Sequence, residues 1–310
     1  MQLNWPSLGK LTLIVFCFML CGSSLAQIKD DSINYRKRKT VVLAGSGISY
    51  VSTMAGLYQL WYKDYGLKSF HFHNDNADWN QIDKVGHAYS CYYEGVVGID
   101  MLKWAGYNKK FASILGGSYG FIVQSSVEVF DGYSEGWGAS IGDIVANAVG
   151  TSLVISQSLK WDEQRIWLKV SYSATNFPSI RPELLGTNFI EQLFKDYNGH
   201  TYWLSANIKS FLPKESKMPP WLNLAFGYGI DGFVGASDNL FIQNNVAFDY
   251  SHLPRSRQFY LSPDIDLTRL PVHRKSLKIA LRILNCVKFP MPAISFQSNS
   301  NNLTFKFVQF

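Results

Sequence analysis

Two periods divide the chain. Up to about residue 160 apolar residues recur at helical spacing, and from about Trp161 they alternate singly with polar ones. The helical stretches fall at 40–62, 87–104, 111–130 and 141–159, joined by short connections, which predicts a four-helix bundle. In the second half Ile166, Leu168, Val170 and Tyr172 alternate with Trp167, Lys169, Ser171 and Ser173, and Tyr202, Leu204, Ala206 and Ile208 do the same. Further alternating runs start at Leu222 and at Phe259, and shorter ones lie near 242–250, 293–297 and 303–310. Six to eight strands with short connections predict an antiparallel arrangement. The fold class expected is therefore α+β: an N-terminal four-helix module at 27–160, then an antiparallel β-sheet or small β-barrel half at 161–310. Strands of about ten residues rich in aromatics fit an outer-membrane barrel, and a soluble sheet shows the same alternation. Between strands, 272–288 places Leu277, Ala280, Leu281, Leu284 and Val287 on one side and Arg274, Lys275, Lys278, Arg282 and Lys288 around the rest. This is a basic amphipathic helix, suited to a membrane surface or to packing across the sheet, and the second is expected.

The first residues read differently. Lys10, the apolar run 11–20 and Ser24-Leu25-Ala26 form a cleavable export signal spanning 1–26. Cys21 would serve a lipoprotein, but Met19 and Leu20 precede it where small residues are needed, so simple cleavage after Ala26 is expected. Cys17 and Cys21 leave with the signal. Cys91 and Cys286 remain, too few for a disulfide framework, and are expected as two unrelated buried thiols. The stretch 40–62 carries no charge and is long enough to span a bilayer. Gly45, Gly47 and Gly56 interrupt it, and Arg36, Lys37, Arg38 and Lys39 stand on the side that the positive-inside rule disfavours for an exported chain. A buried, glycine-rich packing helix is the expectation, and a single span the alternative.

Composition adds one constraint. Charged residues make up 17% of the chain and aromatics 15%, against a charged share of about 25% in ordinary soluble domains. Membrane or envelope components are the expected partners. The net charge of +6 is not gathered into a stripe, and no nucleic-acid motif is present, so nucleic acid is not expected as a partner.

Polar residues in the helical half are spaced to share faces. Asp83 and His87 are four apart, Glu128 and Asp131 three apart, and Asp143 and Asn147 four apart. Ser140-x-x-Asp143 fits a capping box. Each pair sits near a helix end, so the ends are able to share one pole. Convergence of Asp83, Lys84, His87, Glu128, Asp131 and Asp143 would make an acid/base site, and His87, Glu128, Asp131 and Asp143 would hold a divalent metal. The structural alternative gives Asp83 and Ser140 as helix caps, Lys84 as a neutralising partner and His87 as an interior hydrogen-bonded histidine. A separate His71-x-His73-x-Asp75 pattern in the preceding loop is a second, weaker metal motif.

These blocks carry a resemblance. Asp83-Lys84-Val85-Gly86-His87, Glu128-x-x-Asp131 and Ser140-x-x-Asp143-x-x-x-Asn147-x-x-Gly150 resemble the VanZ-like and YfiM-like group. More closely, they look like an uncharacterised family of periplasmic proteins common in Bacteroidota. The resemblance runs over about 70–150 and takes in Phe72-His73-Asn74-Asp75 and Trp79. VanZ-like proteins are tied to glycopeptide resistance, and no reaction comes with the likeness. Asp131 stands where VanZ-like members usually carry Gln, and the helices here are less apolar.

Three functions follow as expectations. The first is an exported accessory or structural protein associated with the outer membrane. The second is a periplasm-facing metal- or acid/base-dependent hydrolase of envelope material. The third is an inner-membrane accessory protein of VanZ type. The expected location is periplasm or outer membrane. N-terminal sequencing of the protein recovered from the envelope should begin at Gln27; a retained Met1 would overturn the signal assignment.

Overall fold

The computed structural model describes residues 34–63, 65–243, 245–300 and 303–309. The signal expected at 1–26 lies outside the described residues. The chain is α+β, and its main sheet is antiparallel and open. It divides into two compact units that do not follow chain order. One comprises Met1–Asn74, His87–Gln164 and Arg274–Ile283; the other comprises Asp75–Gly86, Arg165–His273 and Leu284–Phe310.

The helical unit is built on four long helices. Helix α1 (Tyr35–Leu57) starts at Asn34, whose side chain accepts from the Lys37 N–H at 3.1 Å, and runs on into a π turn at Tyr58–Tyr62. Helix α2 is Ile82–Trp104, entering this unit at His87. Helix α3 (Tyr119–Tyr133) follows a helical turn, Lys109–Phe111, and a π turn, Ala112–Gly116. Helix α4 (Ile141–Trp161) begins at Ser140, whose Oγ accepts the Asp143 N–H at 3.1 Å, as the capping spacing predicts.

Glycines set how closely three of these helices approach. A Cβ on Gly98 of α2 would stand 2.3 Å from the Gly116 oxygen, and one on Gly150 of α4 would stand 2.0 Å from the Ala88 oxygen. No side chain fits at either contact. Helix α1 behaves otherwise, and the packing-helix expectation fails there. Val42 and Met54 are its buried residues, Leu43 is 78% exposed, and a Cβ on Gly45, Gly47 or Gly56 would meet nothing within 4 Å. Small residues permit close approach without compelling it. By length and composition α1 is able to cross a membrane.

The basic helix occupies Lys275–Leu284 (α5) and, up to Ile283, groups with the helical unit, whereas it was expected across the sheet. The physical reason is Asp100 of α2. Its carboxylate takes a two-pronged ion pair from Arg282, at 2.6 and 2.9 Å, and this geometry is among the stronger charge pairings.

The other unit holds strands β1 (Ile166–Tyr172), β2 (His200–Asn207), β3 (Leu222–Asp231), β4 (Leu240–Gln243), β5 (Val246–Asp249), β6 (Ser256–Ile265), β7 (Met291–Gln297) and β8 (Leu303–Gln309). The main sheet has the order β1-β2-β3-β6-β7-β8, all antiparallel; β4 and β5 pair separately as a hairpin. A parallel bridge between Val170 and Val287 covers part of the β1 edge. The sheet is open, so the barrel alternative is not realised.

Its covered face combines an apolar cluster, Trp203, Ala225, Tyr260 and Ala293, with a polar network. Lys169 and Asp264, both at zero side-chain exposure, pair at 2.8 Å. Ser205 donates to Asp264 at 2.6 Å, Asn223 donates to Ser205, and Asn207 donates to Asn223. Burial lowers Lys288, whose ammonium lies over the Trp203 ring, to a pKa of about 8. A separate apolar cluster of Trp79, Ile82, Leu185, Ile230 and Phe233 anchors the segment before α2. That segment turns left-handed at Trp79, Asn80 and Gln81, with φ of 46°, 48° and 65°. Non-glycine residues adopt such angles only when held. Here the buried Trp79 ring and a hydrogen bond from the Tyr228 hydroxyl to the Asn80 carbonyl hold them.

Substituting Gly98→Ala should lower the melting temperature by several degrees, because overpacking costs about 1–3 kcal/mol. Gly47→Ala on α1 should leave it unchanged or raise it, since glycine in a helix interior costs up to about 1 kcal/mol relative to alanine. Equal effects at the two positions would contradict the packing described. Thermal melts of the two variants decide.

Candidate functional site

Within the helical unit three chemically suited groups converge. His87 of α2, Glu128 of α3 and Asp143 of α4 each offer a ligand atom, and these atoms all lie within 4.8 Å of one another. His87 Nε2 stands 3.8 Å from Glu128 Oε1. Glu128 and Asp143 are buried, whereas the His87 side chain is 20% exposed, so the cluster meets solvent on the histidine side.

The surroundings orient each group. His87 Nδ1 lies 3.1 Å from Asn147 Oδ1, one turn along α4 from Asp143. Cys91 Sγ donates to the same oxygen at 3.3 Å. Burial pushes the Cys91 thiol up, with the Glu94 charge adding to it, so it stays protonated and acts as a donor. The Asn147 carbonyl end therefore faces His87 and is placed to accept an N–H on Nδ1; a neutral ring would then carry its Nε2 lone pair on the Glu128 side. A histidine fixed in this way by an acceptor on its far nitrogen is the usual arrangement at metal centres. The Ser140 N–H donates to Glu128 Oε2 at 2.8 Å, tying the α4 start to α3.

The cluster is one end of a polar seam. His87, Cys91 and Glu94 share a face of α2, Gln124 and Glu128 a face of α3, and Asp143, Asn147 and Thr151 a face of α4. Gln124 donates to Glu94 at 2.8 Å, and burial raises the Glu94 carboxyl to a pKa of about 8.

The other residues singled out in the sequence have partners of their own. Asp131 accepts from the Tyr62 hydroxyl at 2.6 Å, and burial followed by the Asp131 charge raises that tyrosine. Asp131 is not in the three-residue group. Lys84 and Asp83 belong to the sheet unit at the head of α2, where Lys84 lies 2.9 Å from Asp75 and 3.2 Å from Asp83. That matches the neutralising role set out as the alternative. The loop motif at His71, His73 and Asp75 does not assemble. Both ring nitrogens of His71 sit against carbonyl oxygens, of Gly132 at 3.0 Å and Trp137 at 2.8 Å. Cys91 and Cys286 are free and buried, as expected. Sequence reasoning passed over Cys91, Glu94, Gln124 and Tyr62; the four-residue step from His87 to Cys91 was the available signal.

Glu94 yields a pH test. Its pKa in the folded chain, about 8, lies above the ordinary 4.5, so the fold favours the protonated form. That contribution is complete below pH 4.5 and is lost as pH rises to 8. Glu94→Gln removes the dependence. Its melting temperature relative to the parent should climb between pH 4.5 and 8 and level off above; a constant difference across that window would contradict a protonated Glu94.

Residues 71–157 match the family described as "Predicted periplasmic lipoprotein (DUF2279)". The matched stretch contains His87, Glu128, Asp143 and the Asn147 and Cys91 around them. It agrees with the periplasmic part of the resemblance and lends no support to its VanZ-like or Bacteroidota parts. No curated protein and no solved structure matches the chain. The segment bearing the cluster is thus similar to an envelope family, in keeping with an exported protein.

Proposed function

We propose that the chain is an exported envelope protein, associated with the outer membrane, whose helical unit binds one divalent transition-metal ion through His87, Glu128 and Asp143. The observation that carries this reading is the convergence of the three ligand atoms, with Asn147 against the far ring nitrogen of His87. One nitrogen and two carboxylate oxygens suit a zinc-like ion better than calcium or magnesium, which favour oxygen alone. Bond lengths of about 2.0–2.2 Å require the 3.8 Å His87–Glu128 separation to close only slightly.

Partial exposure of His87 favours one reaction class over a purely structural ion. Three protein ligands leave a fourth position for water, and a zinc-like ion brings the pKa of bound water to about 7. Hydrolysis of an ester, amide or glycosidic bond in envelope material is the chemistry such a centre supports. The accessory reading retains the same ion as a clamp between α2, α3 and α4.

Equilibrium dialysis against zinc should give one ion per chain. Zinc at ~100-fold above its Kd should stabilise the protein by about 2.7 kcal/mol. His87→Ala and Asp143→Asn should abolish binding with the circular dichroism unchanged, whereas Asp131→Asn should keep it. No zinc retained by the parent, and no shift of its melt, would sink the metal assignment and leave a polar seam alone.

A further inference from the structure

The main sheet turns a row of apolar residues outward. Leu168, Leu204, Phe226, Leu261, Ile294 and Phe305 stand in register across all six strands. The last five of them are 45 to 59% exposed. The next row on the opposite face, running from Lys169 through Trp203, Gly227, Tyr260 and Ser295 to Thr304, includes the Lys169 whose charge is wholly buried. A sheet with one face in water buries its apolar side. Apolar outside and polar inside is the arrangement of strands that face lipid.

We propose that this apolar row, with Leu224 and Phe307 beside it, rests in the acyl-chain layer of a membrane leaflet. Strand spacing of about 4.8 Å makes the row roughly 24 Å wide, and no charged side chain interrupts it. The open sheet edges put this contact at the membrane face and not across the bilayer, since unpaired backbone is not tolerated within hydrocarbon. Lipid is favoured over a second copy of the chain by the helical unit, taken separately. On α4 the residues Ile141, Val145 and Val149 are each more than half exposed, while Asp143 and Asn147 are buried. Ile122 and Val129 of α3 are likewise exposed, beside the buried Glu128. A dimer contact would cover one patch; lipid accounts for the exposed apolar residues of both units.

The test uses the mature chain from Gln27, without Cys17 and Cys21, reconstituted in phosphatidylcholine vesicles, with spin labels at Phe226→Cys, Leu261→Cys and, as a control, Lys217→Cys. Cys91 and Cys286 are buried and stay unlabelled. Labels at 226 and 261 should collide with oxygen in preference to a water-soluble nickel chelate, and the label at 217 should show the reverse. The double variant Leu204→Asp/Leu261→Asp should reduce vesicle flotation at least tenfold while its melt stays unchanged. Nickel-accessible labels at 226 and 261 would overturn the proposal. So would labels shielded from both reagents together with a dimer in light scattering that the Asp variant dissociates, which would assign the face to a second copy.

Discussion

A buried charge must find its partner inside the fold, and both units obey that requirement. Lys169 and Asp264 lose all contact with water, and removing one member of such a pair costs about 3–5 kcal/mol. Ser205, Asn223 and Asn207 extend the pair across neighbouring strands. Register follows from this. A slip of one residue would turn Lys169 outward and bring Leu168 onto its partners, exchanging every side chain between faces.

The helical unit meets the same requirement with different geometry. Three helices must stand close enough for His87, Glu128 and Asp143 to share 4.8 Å of space. Gly150, one turn from Asn147, lets the α4 backbone reach the Ala88 carbonyl, next to His87. Gly120 similarly admits Cys91. The glycine contacts and the candidate ligands thus alternate along the same helix faces. Packing and chemistry are coupled there, and a side chain added at either glycine would disturb the cluster as well as the stability.

Period alone disclosed the long helices and the long strands, but not the short helices Pro182–Leu185 and Phe189–Lys195. Alternation from Ile166 onward predicts strands, and Ser140-x-x-Asp143 marks the start of α4 within a residue. Alternation does not say which of its two faces is inside, and here the inner one mixes Trp203, Tyr260 and Ala293 with Lys169 and Asp264. Spacing along one helix likewise predicts which residues share a face, but not what that face meets. Glu128 and Asp131 are three apart, yet one lies with His87 and the other with Tyr62. Asp83 and His87 share a helix, yet Lys84 and Asp75 engage Asp83's end of it. The interleaved units were hidden for a related reason. Asp75–Gly86 joins the sheet unit through the Trp79 ring, and Arg274–Ile283 joins the helices, where Arg282 holds Asp100. Both depend on contacts between residues more than a hundred positions apart.

The low charged fraction acquires a physical meaning from these interiors. In a soluble domain nearly all charges are spent on the surface, where they keep the protein hydrated. Here Lys169, Asp264, Glu128, Asp143 and Asp266 are withdrawn inside, and Arg282 with Asp100 is largely so. A chain already poor in charge therefore has fewer left for its surface, and large apolar residues such as Leu43, Phe226 and Phe307 occupy it. In water that distribution favours aggregation. Beside lipid the balance would reverse, because the apolar surface would be satisfied there. On the membrane contact proposed above, the composition, the exposed apolar row of the sheet and the buried polar seam follow from one environment.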